Sequence, residues 1–134
     1  MVAEYFLDVL TVEQVAKARE WITALRSGTY QQGRRALRTA SGFCCLGVAC
    51  DLLDRGEWRS APSAAGGTWW TWIDPVEGSF WSDMPPAAAA RYGLRPKAQE
   101  RLSTLNDDDA GSFSLSNIAA MLENDLKLVA VVEY

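Results

Sequence analysis

Apolar residues recur at helical spacing early in the chain. Val15, Ala18, Ile22 and Leu25 fall on one stripe, the pattern of a helix with a single buried face. Thr11 stands three residues before Gln14, the spacing at which the two side chains satisfy the orphan N–H groups of a helix start. Gly28 is placed to stop this helix. From Thr29 to Gly42 the chain is polar and broken by glycine, a connection in which Ala36 and Leu37 suggest one turn of helix. Phe43 to Leu53, FCCLGVACDLL, is apolar at almost every position until Asp51. Such a segment is either a central, fully buried helix or a buried strand. Helix is preferred, with Gly56 as its cap.

The pattern then changes period. Ser60 to Gly67 is a loop of small residues with Gly and Pro. Thr68 to Ile73 is a β-like run containing Trp69, Trp70 and Trp72, followed by the turn residues Asp74-Pro75-Val76-Glu77-Gly78 and then Ser79-Phe80-Trp81. This predicts a β-hairpin. Pro85-Pro86 opens a short Ala-rich helix ending near Gly93. Pro96 suits the first turn of the next helix, with Ala98, Leu102 and Leu105 inward. The last helix starts at Ser114, a good N-cap, with Phe113 and Ile118 at staple spacing and Ile118, Met121, Leu122 and Leu126 on its buried face. Leu128 to Val132 predicts a final short strand. The expected fold is α+β and mostly helical: four to five helices around a buried Cys-rich helix, with a Trp-rich hairpin at about 60–83 inserted in a single domain spanning 1–134.

Composition narrows the function. The 134 residues are 49% hydrophobic and 22% charged, the balance of a globular domain. A net charge of -4 argues against a non-specific nucleic-acid binder. No apolar run reaches the roughly 18 residues of a membrane span, and the acidic N-terminus is unlike a signal peptide, so the expected location is the cytoplasm. Histidine is absent, which removes the commonest general base and metal ligand. Three cysteines make no disulfide framework. The acids gather towards the end of the chain, and Arg26, Arg34, Arg35 and Arg38 stand in its first third.

Around FCCLGVACDL the chain resembles a family of small uncharacterised accessory proteins of bacteriophages and prophages. The resemblance rests on Phe43, Cys44, Cys45, Leu46, Gly47, Val48, Cys50, Asp51 and Leu52. It extends upstream to Trp21, Ala24, Leu25, Arg26, Ser27, Gly28, Tyr30, Gln32 and Gly33. Downstream it takes in Pro85, Pro86, Gly93, Leu94, Leu105, Asn106, Asp107, Ser112 and Phe113. Met84 replaces a leucine of the pattern, and Ile118-Ala119 fall two residues late, as after a small insertion. The Trp-rich middle is the variable part. The resemblance carries no established activity; it implies a phage accessory protein acting inside an infected cell.

The candidate chemistry is sparse. Cys44, Cys45 and Cys50 are expected to be structural, buried thiols, because on a helix their spacing suits neither a disulfide nor a tetrahedral metal site. Redox chemistry and metal binding are the lesser alternatives. Asn106-Asp107-Asp108-Asp109-Ala110-Gly111 has the glycine of a calcium loop but the wrong residues at positions 1, 5 and 12. Trp69, Trp70, Trp72 and Trp81 are either a partner-binding surface or a second hydrophobic cluster. On a strand, Trp70 and Trp72 share one face and Trp69 takes the other. Tyr30, Arg34, Arg35 and Arg38 are either a solvated loop or a site for an anionic small ligand of nucleotide type. No catalytic residue, cofactor or metal is expected. The leading expectation is a non-enzymatic protein that binds a host protein. Sequestration of an anionic ligand stands second and a small enzyme third.

Overall fold

The computed structural model describes residues 2–108, 110–111 and 113–133. Asp109 of the acidic loop and Ser112 of the family pattern lie outside the described residues. The order of elements is β1 (Val9–Thr11), α1 (Val12–Arg26), β2 (Arg38–Thr39), β3 (Gly42–Phe43), α2 (Cys45–Asp51), β4 (Glu57–Pro62) and β5 (Thr68–Asp74). Then come β6 (Gly78–Phe80), α3 (Pro86–Arg91), α4 (Ala98–Asn106), α5 (Leu115–Leu126) and β7 (Ala130–Val132). The class is α+β, but the expectation of a mostly helical chain is corrected. Only 38% of the described residues are helical, against 22% in strands. The reason lies in the middle of the chain, where the tryptophan run recruits a strand on each side.

α1 begins where the sequence places it. The Thr11 hydroxyl accepts from Gln14 N at 3.1 Å, and the Gln14 carbonyl oxygen accepts from Thr11 N at 2.9 Å. It ends at Ser27, after which Gly28 takes φ +77°. Ala18, Trp21, Ile22 and Leu25 form its buried face, packed against α5. That helix starts at Ser114, whose hydroxyl accepts from Asn117 N at 3.1 Å. Near its other end Asp125 accepts from the backbone N–H groups of Glu4, Tyr5 and Phe6 at 2.5, 3.0 and 3.0 Å. This fixes the N-terminal segment so that β1 can pair in parallel with β7.

The cysteine segment is helical but shorter than 43–53. Phe43 belongs to the small antiparallel pair of β2 and β3, opposite Arg38. Cys44 is the N-cap, with its sulfur accepting from Gly47 N at 3.3 Å. Six of the seven residues of α2 are buried. Gly47 is required by close approach: a Cβ there would stand 1.8 Å from the Leu37 carbonyl oxygen. Leu37 itself is not helical. It is buried, its N–H donates to Trp81 O at 2.7 Å, and its carbonyl accepts from Cys44 N at 3.0 Å. Gly56 does not cap α2, which ends at Leu52. It passes against the Trp72 ring, where a Cβ would lie 2.5 Å from the indole.

Residues 60–62, expected in a loop, extend β4, so the hairpin becomes a three-stranded antiparallel meander, β4-β5-β6. Trp58 pairs with Trp72, Ser60 with Trp70 and Ala61 with Trp69, while Trp72 also faces Phe80. No helix among the described residues is long and apolar enough to cross a membrane.

Candidate functional site

The period of two along β5 separates its tryptophans. Trp70 and Trp72 lie on the inner face with Trp58 and Phe80; Trp69 lies on the outer face with Thr71 and Ile73. Trp72 is 3% exposed and packs on Trp58, with ring centroids 5.1 Å apart. As a partner-binding residue it is therefore corrected: it belongs to the core, its indole N–H buried without a hydrogen bond among the described residues. Trp70 is half-buried. Above it stands Arg38, whose guanidinium carbon is 3.6 Å from the Trp70 ring centroid, 4.7 Å from that of Phe43 and 5.5 Å from that of Trp58.

A chain of edge-on rings runs from Tyr30 through Phe43 and Trp58 to Trp72. Its polar handles converge on one carboxylate. Tyr30 Oη donates to Asp51 Oδ2 at 2.5 Å, and Trp58 Nε1 donates to Asp51 Oδ1 at 3.0 Å. Burial, and then the bond to Asp51, push the Tyr30 phenol well above its ordinary range. Trp58 was missed in the sequence because it is a lone aromatic among polar residues; only the strand opposite gives it meaning.

The outer face differs. In an antiparallel sheet packed on one side, the solvent face is normally polar. Here Trp69 and Trp81 lie in ring contact, centroids 5.2 Å apart, while 44% and 48% exposed. Half-buried Thr71 and Ile73 continue the face, and the Arg59–Glu57 ion pair borders it at 3.0 Å.

The four residues expected to hold an anion are not gathered into one pocket. Tyr30 is bonded to Asp51 and Arg38 stacks on the rings. The backbone N–H of Arg35, at φ +70°, donates to Asp107 Oδ1 at 2.8 Å. The Arg34 guanidinium extends towards Gly111, and its Nε is buried without a partner among the described residues.

Behind this loop sits a polar hub that the sequence disguised as part of a solvated turn. Asn106 is fully buried. Its Oδ1 accepts from Cys45 N and from Gln32 Nε2, both at 3.1 Å; its Nδ2 donates to Gly33 O at 2.9 Å and to Asp107 Oδ1 at 3.0 Å. Its amide ties the glutamine-rich loop to the start of α2. It faces inward and serves the fold.

The three thiols are free and buried. Burial pushes Cys44 up to about 12 and raises Cys45 and Cys50 as well. A cleft of about 700 Å³, lined by Arg35, Cys44, Asp83, Glu100 and Asp107 among others, therefore meets a protonated sulfur, whereas nucleophilic chemistry needs the thiolate. Among the described residues no group of three or more Cys, Asp or Glu is placed to hold a metal ion.

Residues 12–126 match the model of a domain family described as a domain of unknown function, DUF8296, and the chain belongs to that family. No curated protein and no solved structure matches the chain.

Proposed function

We propose that this member of the family is a non-enzymatic accessory protein that binds another protein through the outer face of its tryptophan meander. The observation that carries the reading is the Trp69–Trp81 pair: two indoles in mutual contact, each close to half exposed, on the outer face of the meander. Paired exposed aromatics supply large apolar area with few rotatable bonds, which is why tryptophan dominates binding hot spots. The three protonated, buried thiols and the lack of histidine support a binding role over catalysis. The resemblance of the cysteine motif to phage and prophage proteins supports a partner in the host cytoplasm.

The test compares wild type with W69A/W81A. Tagged protein is used to capture partners from bacterial lysate, after both forms have been checked by thermal melting. The expected result is one protein retained stoichiometrically by wild type and lost by the double variant, each indole contributing about 2 kcal/mol or more to binding. Equal capture by both forms, or no stoichiometric capture by wild type, overturns the proposal.

A further inference from the structure

Arg38 is held in place on the opposite face of the same meander. β2 sets it across from Phe43, and its guanidinium lies over Trp70 at 3.6 Å with Phe43 and Trp58 beside it. A guanidinium stacked on a ring keeps its N–H donors in its own plane, free of the ring. Those donors meet no acceptor among the described residues. Five other arginines, Arg26, Arg55, Arg59, Arg91 and Arg95, each meet a carboxylate, from Glu123, Asp74, Glu57, Asp54 and Asp8; Arg38 is set apart from the rest by its ring stacking. The carboxylate of the ring cluster, Asp51, is engaged by Tyr30 and Trp58. In a chain of net charge -4, a positioned, half-buried cation stands without a counterion among the described residues.

We infer that Arg38 anchors the phosphate of a small aromatic phosphate ester, a nucleoside monophosphate being the simplest, whose ring lies against the exposed parts of the Trp58 and Trp70 indoles. The planar fork suits a phosphate with two parallel hydrogen bonds. The neighbouring rings exclude water from one side of the cation and offer stacking surface to a base. A polymer is not the fit. Nucleic-acid affinity needs several cations tracking the phosphates, and the acidic chain offers this face one positioned guanidinium. The site is separate from the Trp69–Trp81 pair, which lies on the other side of the sheet.

The test follows the indole N–H signals of ¹⁵N-labelled protein by NMR during titration with AMP, with adenosine and inorganic phosphate as comparison probes. The expected result is a saturable shift of the Trp58 and Trp70 signals with AMP. The Trp21 signal, whose N–H is buried against the Cys45 carbonyl at 2.9 Å, stays still. Adenosine and phosphate each bind at least about tenfold more weakly than AMP, since each lacks half of the recognition. R38Q weakens AMP about tenfold or more, and R38K, which keeps the charge but loses the flat fork, falls between. W69A/W81A binds AMP as wild type does, so the fate of this site is independent of the partner surface. No saturable shift with AMP, adenosine equal to AMP, or R38Q equal to wild type would overturn the inference. Should R38Q fail to fold, R38K and the adenosine comparison decide it.

Discussion

Two stretches of this chain rich in apolar residues, nine of eleven in FCCLGVACDLL and four of seven in TWWTWID, end in opposite situations. Within FCCLGVACDLL, Cys45–Asp51 forms a helix so enclosed that even a glycine Cβ would have no room, with its capping group supplied by a cysteine sulfur. TWWTWID forms a strand with one tryptophan in the core, one under an arginine and one at the surface. The difference is coverage. α2 is covered on all sides by α1, α4, β3 and the Leu37 backbone, whereas β5 receives cover on one face only. Apolar character thus marks a segment for burial where neighbours close over it, and for recognition where they do not.

The comparison breaks most severely at Gly47. In G47A the new methyl carbon would meet the Leu37 carbonyl oxygen, which is backbone and already accepts from Cys44 N. Neither α2 nor the extended segment before it can withdraw without opening the core. We expect a loss of about 3 kcal/mol or more, at the upper end for overpacking, measured by denaturant unfolding. The same variant should expose the thiols. In the wild-type native state all three react slowly with a thiol reagent, and fast labelling of folded wild type would contradict the sealed core.

Next in size comes W72A, which asks whether the meander has a core of its own. Trp72 packs on Trp58 and on Gly56, so its removal leaves a cavity against the ring chain, at a cost of about 3–5 kcal/mol. Trp69 should behave otherwise. W69A removes a ring that is 44% exposed, and the expected change is within about 1 kcal/mol. If the two truncations cost the same, the division of β5 into a buried and an exposed face is wrong.

What the sequence reveals, and what it hides, follows from how local each cause is. Thr11 with Gln14, and Ser114, announce their helices because a cap involves residues three apart. The separation of Trp69 from Trp70 and Trp72 is legible for the same reason, since the strand period depends only on neighbouring residues. Which of the two faces is covered is not legible. The cover comes from Arg38 and Phe43, a distant hairpin, and from Trp58 on a strand whose own sequence, EWRSAP, has no apolar alternation. The sequence makes α2 look longer than it is because nothing within FCCLGVACDLL announces that Phe43 will pair with Arg38. Asn106 looks like part of an acidic loop in the sequence because its partners, Gln32, Gly33 and Cys45, arrive from elsewhere in the chain.

The smallest effect expected is on pH, and there the two regions separate most cleanly. The ionisable groups of α2 are thiols that burial keeps protonated, Cys44 up to about 12. Their folded values lie above the ordinary 9.0, so their contribution is fully present below that pH and is lost only as pH rises beyond it. These thiols therefore add no acid dependence. The turn of the meander does. Asp74 Oδ2 accepts from Arg55 at 2.9 Å and from the backbone N–H groups of Val76 and Glu77 at 2.9 and 2.7 Å. The Arg55 hydrogen bond, and then that of Glu77, hold its carboxyl down to about 2 from 3.8. With the folded value depressed, the stabilisation is fully present above pH 3.8 and is lost as pH falls through 2. D74N should lower the melting temperature at neutral pH by less than W72A does. The gap between D74N and wild type should close across that acid window, because protonation removes from wild type the charge the variant already lacks. Melting curves of the two proteins at a series of acidic pH values check this. A gap that stays constant down to pH 2 would mean that the Asp74 charge does not hold the β5–β6 turn, and that the hairpin is closed instead by the packing of Trp72 on its inner face.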